Sequence, residues 1–348
     1  MKVQRLFLKN VRGIKSLDLD FRNPVTGRPL SRIVLAGANG SGKTTILECI
    51  FGLIRSLTLP KPQIPYLEQG DSSARLVLQP PAEVARHSWT ILFNMAPTPE
   101  EYDKGYGAYL KWEYRGDDDG YAPEVGQAIH EPLVSSEERE DYFIQKASLL
   151  YLTDDRRLLP TQGGVIAPEE DNPWAYRYTP ADQWKGSVES YLVWQNYLDL
   201  EDRDKGKNAD RFQRVTSVVN QILDQKRISG VERGRVVVEI TGQKKHGLDD
   251  LSSGERQILL LLVEILRRIK LGGIILIDEP EISLHPTWQR ALVAALDKII
   301  EQYDAQVIMA THSLEIATSV LPHHEVISLS DLDDLPRGEW KPEDELVA

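Results

Sequence analysis

Eight consecutive residues, Gly37-Ala38-Asn39-Gly40-Ser41-Gly42-Lys43-Thr44, have the types and spacing to hold a nucleotide phosphate. In a G-x-x-x-x-G-K-[ST] loop the glycines let backbone N–H groups curl around an anion at a helix N-terminus. Lys43 then neutralises the β- and γ-phosphates and the Thr44 hydroxyl ligates Mg²⁺. Gly37, Asn39, Gly40, Ser41, Gly42 and Thr45 complete the expected cradle.

A carboxylate pair, Asp278-Glu279, ends the apolar run Ile274-Ile275-Leu276-Ile277. Asp278 is expected to hold the Mg²⁺ directly or through water. Glu279, one residue further on, is expected to position and polarise an attacking water as general base. An acidic strand end without chemistry would carry the same residues, but the buried-type strand before it and the P-loop upstream favour the catalytic reading. His312 follows another apolar run in Thr311-His312-Ser313, where it reads as a hydrogen-bond donor to a γ-phosphate. Lys43, Glu279 and His312 are therefore the catalytic candidates, with ATP and Mg²⁺ as nucleotide and ion. His285, His323 and His324 have no comparable setting, and His285 is placed to cap the helix that follows it.

Strands and helices must bring these groups together. Residues 3–7 and 17–21 alternate as half-buried strands on either side of a turn at 11–14, and 24–30 is a turn-rich connection. A short apolar strand at 33–36 feeds the loop, and 44–57 has helical periodicity, so strand, glycine-rich loop and helix follow in the order a P-loop requires. Three β-rich runs at 74–78, 88–93 and 108–114 read as a side layer. The Asp117-Asp118-Asp119 loop reads as solvated rather than metal-binding, because consecutive side chains do not converge. A core strand at 147–152 ends in Thr153-Asp154-Asp155-Arg156-Arg157. Polar helices with apolar stripes are expected from 187 to about 226. A strand at 236–240, an apolar helix at 254–270, a strand at 274–277, a helix at 287–303, a strand at 306–310, a helix and a last strand near 325–329 complete the order.

The chain has 348 residues, with 41 Lys plus Arg against 53 Asp plus Glu and a net charge of −12, which argues against a surface that binds nucleic acid throughout. Arg156-Arg157, Lys205-Gly206-Lys207, Lys244-Lys245 and Arg267-Arg268 read either as solvated surface pairs or as a local basic face for DNA or RNA. A single cysteine, Cys49, excludes a disulfide framework and a Cys-rich zinc site. No uninterrupted apolar run reaches the ~18 residues of a membrane helix, so no membrane association and a cytoplasmic setting are expected.

Leu251-Ser252-Ser253-Gly254-Glu255-Arg256-Gln257 adds a helix-opening motif that changes the meaning of the P-loop. Taken with residues 8–13, the P-loop, the run Asp278-Glu279-Pro280-Glu281-Ile282-Ser283-Leu284-His285-Pro286 and residues 310–313, it makes the chain resemble ABC-type ATPases of the RecF, SMC and OLD branch. The resemblance covers about 1–54 and 147–329. It implies an α/β P-loop NTPase fold with the ABC-ATPase head topology, a β-rich side layer and a helical lobe. The implied segments are 1–60 with the P-loop, 61–146 as insertion and acidic loop, 147–180 as core strand and connection, 181–253 as helical lobe, 254–330 with the Walker B and His motifs, and an acidic tail at 331–348.

The same resemblance implies a head-to-tail dimer that sandwiches two ATP molecules. Ser252 and Gly254 would then contact the partner's γ-phosphate, Arg12 would approach the nucleotide from the first β-turn, and residues 283–285 would form the seam. A glutamine usual in the family after the 147–152 strand is missing, and Asp154, Asp155, Gln145 or Gln162 is left to fill its role. No long coiled-coil arms are expected in the helical lobe, and no TOPRIM nuclease is expected after the His312 unit. The expected function is that of ATPase components of anti-phage systems of the Septu and retron kind: an ATP-hydrolysing dimerisation switch, with higher assembly open, that controls a separately encoded effector such as a nuclease. A DNA-repair clamp like RecF is the alternative. A transporter motor fits less well, because 281–286 does not resemble a transporter seam.

Overall fold

A computed structural model of the chain describes residues 1–56, 58, 72–79, 89–94, 111–114, 145–156, 173–178, 188–223, 225–240, 245–320 and 325–329. Strands β1 (Lys2–Val11) and β2 (Ile14–Asp20) open it as an antiparallel hairpin. Arg12 and Gly13 form its two-residue turn with φ of 40° and 83°, the positive values that match the twist of the flanking strands. β3 (Arg32–Ala36) runs into the P-loop, and α1 (Lys43–Arg55) leaves it. β4 (Ser73–Gln79), β5 (Trp89–Asn94) and β6 (Lys111–Tyr114) follow, then β7 (Leu149–Leu152) and β8 (Ala175–Arg177). After α2 (Val188–Asp204) and α3 (Arg211–Asn220) come β9 (Lys226–Glu232), β10 (Arg235–Ile240) and β11 (Lys245–His246). α4 (Ser253–Arg268), β12 (Ile274–Asp278), α5 (Pro286–Tyr303), β13 (Gln306–Thr311), α6 (Leu314–Ser319) and β14 (Val326–Ser328) close the order.

The central sheet, β14-β3-β13-β12-β7-β8, is wholly parallel. Its inner strands are continuous apolar runs because both faces are covered. Side chains alternate between two cores. Ile275, Ile277, Val307 and Met309 face α4 and α5, whereas Ile274, Leu276, Ile308 and Ala310 face α1. α1 lies between this sheet and the antiparallel sheet β2-β1-β4-β5-β6, which explains why apolar residues surround it rather than form a stripe. The expected side layer is therefore an extension of the opening hairpin.

Two expectations need correction. The polar helices end at Asn220, and residues 226–232 pair with β10 in a three-stranded antiparallel sheet, β11-β10-β9. The helical lobe is thus a mixed one, and Phe212, Val219, Ile228 and Val238 share their core with α4 and the parallel sheet. The basic clusters also divide. Arg156 is buried, and Arg267 and Arg268 turn onto Glu264 and the rings of Tyr191 and Tyr176, so these are neither solvated pairs nor a basic face. Lys205, Lys207 and Lys245 remain at the surface, paired with Glu201, Asp202 and Glu232. Asp117 to Asp119, Arg157, Lys244, His323, His324 and the 331–348 tail lie outside the described residues. Among the described residues no helix is long and apolar enough to cross a membrane.

Candidate nucleotide site

Parallel pairing sets the site. Asp278 stands beside Ala310, Ala310 beside Leu35 and Thr311 beside Ala36, so the loops after β12, β13 and β3 leave the carboxyl edge of the sheet side by side. That edge is where open α/β sheets bind ligands. It brings together the P-loop, Asp278-Glu279 and His312, which are far apart in the chain.

The P-loop is a tight cradle. Gly42 caps α1 with φ 86°, and Gly40 has φ 83°, conformations that only glycine adopts without strain. A side chain at Gly37 would meet Ser41 Oγ at 2.8 Å. The first turn of α1 has neither a side-chain cap nor an acidic residue, which leaves its N–H groups and positive dipole end directed at the loop. Lys43 folds back, donating from Nζ to the Gly37 and Ala38 carbonyls at 2.9 and 2.8 Å. The hairpin turn lies against the same loop: a Cβ on Gly42 would sit 3.2 Å from Ile14, so Arg12 stands two residues from the P-loop's neighbour.

Asp278 is 1% exposed, and among the described residues neither carboxylate oxygen has a hydrogen-bond partner. Burial pushes its pKa up to about 6. Asp154 and Glu279 add to the rise, while the nearby Thr44 hydroxyl, without an aligned hydrogen bond, and Arg156 oppose it. A buried carboxylate with two vacant acceptors beside a hydroxyl is a site that fits a hard divalent cation. Of the four candidates for the missing glutamine, Asp154 is the one whose charge acts on Asp278. Asp155 receives the Thr153 hydroxyl at 2.5 Å, Gln145 lies at the opposite end of β7, and Gln162 is outside the described residues.

Glu279 has φ 46° and is held there on both sides, its N–H donating to the Ala310 carbonyl at 2.8 Å and its carbonyl receiving Arg156 at 2.9 Å. His312 Nδ1 lies 3.7 Å from Glu279 Oε1 and 3.2 Å from Glu281 Oε1. Sequence reasoning gave Glu281 no role. Its carboxylate accepts the N–H groups of His312 and Ser313 at 2.9 and 3.2 Å and so shapes the loop that carries the histidine. Arg156 was visible only as one of a basic pair, and its partners on Asp278 and Glu279 are too distant in sequence for any local signal. His285 caps α5, its Nδ1 accepting from Thr287 at 3.3 Å, as its position suggested.

At the start of α4, Ser252 and Glu255 form a reciprocal capping box, with Lys226 holding the Glu255 carboxylate at 2.7 Å. Ser252 and Ser253 are exposed, whereas Gly254 is buried. A Cβ on Gly254 would meet Trp288 at 2.7 Å and the Ser283 carbonyl at 2.8 Å, so its Cα is turned into its own chain.

Two family profiles match this chain: "AAA domain, putative AbiEii toxin, Type IV TA system" over residues 171–318 and "AAA domain" over 5–60. The "Retron Ec83 probable ATPase" of Escherichia coli is 36% identical over 81 residues, 20% of this chain and 15% of that protein. The "Retron Vc95 probable ATPase" of Vibrio cholerae serotype O1 biovar El Tor is 29% identical over 163 residues, 42% of this chain and 31% of that one. The "DNA double-strand break repair Rad50 ATPase" of Methanosarcina mazei is 42% identical over 62 residues, 18% of this chain and 5% of its own length. The chain thus matches less than a third of each of these relatives. Among solved structures, an SMC head bound to the C-winged helix domain of ScpA superposes with a TM-score of 0.50 at 13% identity, covering 94% of both chains, a likeness of fold. The P-loop at the edge of a parallel sheet and these matches make the chain similar to ABC-type P-loop ATPases of the SMC and Rad50 branch, with retron ATPases among its relatives.

Proposed function

We propose that the chain is a Mg²⁺-dependent, ATP-hydrolysing dimerisation switch that controls a separately encoded effector, a nuclease by preference, in prokaryotic anti-phage defence. The observation that carries the enzymatic part is the buried, unpartnered Asp278 carboxylate beside Thr44, at one sheet edge with Lys43, Glu279 and His312. The defence role rests on the retron relatives.

Lys43 exchanges its two carbonyl partners for the β- and γ-phosphates, while the amides of residues 40–45 hold the phosphate oxygens. Thr44 and Asp278 hold Mg²⁺, which when bound offsets phosphate charge. Glu279 orients the attacking water and takes its proton, and His312, fixed by Glu281, donates to the γ-phosphate. Arg12 reaches the nucleotide from the hairpin turn. The hydroxyls of Ser252 and Ser253 and the first-turn N–H groups of Ser253 and Gly254 meet the γ-phosphate bound by a second copy, so hydrolysis removes the bridge and loosens the dimer.

Light scattering on Glu279→Gln protein, with and without ATP and Mg²⁺, tests this reading. A mass that doubles with nucleotide supports it. An unchanged monomer that demonstrably binds ATP rules out the self-dimer. A repair clamp is the second reading, favoured by the Rad50 relative. It requires ATP-dependent duplex binding that weakens steeply with salt.

A further inference from the structure

We propose that Arg156 is a positioning residue that ties the signature helix α4 to the Walker B turn of the same chain, so that a chain's own nucleotide site is felt at the tip it offers to a partner. The proposal rests on the nucleotide-binding reading above and adds a route of communication to it.

Arg156 is 2% exposed. Its Nη1 donates to the carbonyls of Leu152 at 3.2 Å, of Thr153 and of Asp278 at 2.7 Å, and its Nη2 to the Glu279 carbonyl at 2.9 Å. The planar fork thus grips two successive carbonyls of the Walker B turn and fixes the backbone from which the Asp278 and Glu279 side chains project. Among the described residues no carboxylate hydrogen-bonds to it. A buried cation that hydrogen-bonds only to carbonyls, with the charges of Asp278, Asp154 and Glu281 offsetting part of its burial, is an expensive way to fill space, and an apolar side chain would do so at less cost.

The carbonyl of Arg156 in turn accepts Gln257 Nε2 at 2.7 Å. Gln257 lies one turn after Gly254 on α4, and Gly254 itself is wedged against the Ser283 carbonyl and Trp288. The first two turns of the signature helix are therefore fastened to the segment after β12 at two points. One is direct, and the other runs through Arg156 to Asp278 and Glu279. Any displacement of the Walker B turn when a cation and phosphate arrive is carried through the guanidinium to Gln257.

Hydrogen–deuterium exchange with mass spectrometry tests the link, at a protein concentration where scattering reports a monomer and no partner protects the tip. The proteins are wild type, Gln257→Met and Arg156→Lys, which keeps the charge but not the fork and guards against misfolding of the first variant. In wild type, ATP with Mg²⁺ is expected to slow exchange in peptides covering both 37–45 and 252–257, the latter by about threefold or more. Both variants are expected to keep the response at 37–45 and lose that at 252–257. Equal responses at 252–257 in all three proteins, or none in wild type while 37–45 is protected, would overturn the proposal. No protection at 37–45 would instead overturn the nucleotide reading itself and the coupling with it.

Discussion

The Glu281 carboxylate receives the His312 backbone N–H at 2.9 Å while facing the same residue's Nδ1 at 3.2 Å. One buried acid thus fixes both the backbone and the ring orientation of the histidine. Its second oxygen has no hydrogen-bond partner among the described residues, so the arrangement is held by a single atom, Oε1.

Glu281→Ala is expected to destabilise the protein by about 1–3 kcal/mol, because the part-buried N–H groups of His312 and Ser313 lose a charged acceptor, Ser313 keeping only the Thr311 hydroxyl. Glu281→Gln, which retains a carbonyl oxygen, is expected to cost less than half as much. Both should lower ATP turnover, since His312 loses the nearer of the two carboxylates it faces. Urea unfolding read beside steady-state turnover checks this. Equal stability of wild type and Glu281→Ala would mean that water replaces the acid.

Asp278 gives a pH dependence with a definite sign. Its folded-state pKa, raised by burial to about 6, lies above its ordinary value of 3.8, so the folded state binds the proton more readily than the unfolded one. The nucleotide-free protein is therefore expected to lose stability as pH rises from about 4 to 6, and to change little above that, through this group. The full shift corresponds to about 3 kcal/mol, an upper value for a site that retains some access to water. Asp278→Asn should recover much of it at pH 7.5 and abolish Mg²⁺-dependent nucleotide binding. Chemical denaturation of wild type and variant across pH 4 to 8 reads the difference. Parallel curves would show that Asp278 is not the group responsible.

Much of this site was legible because its chemistry is written in contiguous runs. Strand, glycine loop and helix around Lys43, and the apolar strands ahead of Asp278 and His312, announce themselves by period and by turn residues. The β9 strand was missed because Lys226 and Arg227 extend the polar texture of α3. The usable signal was Arg233-Gly234, two positive-φ residues between alternating runs, the same turn chemistry as Arg12-Gly13. Arg156 and Gln257 were not legible at all. The contacts that join them to the Asp278-Glu279 turn and to each other span more than a hundred residues, and carbonyls leave no mark in a sequence.

Gly254 separates packing from ligand contact. A methyl group there meets Trp288 and the Ser283 carbonyl at distances no relaxed Cβ adopts. Gly254→Ala should therefore destabilise the nucleotide-free monomer by about 1–3 kcal/mol, with a shift in tryptophan emission, before any partner is present. Ser253→Ala, at an exposed position, should leave monomer stability within about 0.5 kcal/mol and weaken ATP-dependent association. A Gly254→Ala monomer as stable as wild type would show that Trp288 gives way freely.

Glu279 stores strain in the turn that follows β12. A non-glycine residue at φ 46° costs about 1 kcal/mol or more, and here the Ala310 carbonyl and the Arg156 guanidinium hold it in place. Glu279→Gly should relieve that strain and raise stability by about 0.5–1 kcal/mol, the glycine's extra unfolded-state freedom offsetting part of the gain. Glu279→Gln keeps the strain and should leave stability unchanged. Both substitutions remove the carboxylate, so turnover should fall by about 10²-fold or more in each, consistent with loss of a general base. Stability and activity then move in opposite directions for glycine and separate for glutamine. If Glu279→Gly were no more stable than Glu279→Gln, the left-handed turn would have to be imposed by the surrounding backbone at no cost to the side chain, and the link between strain and catalysis would be lost.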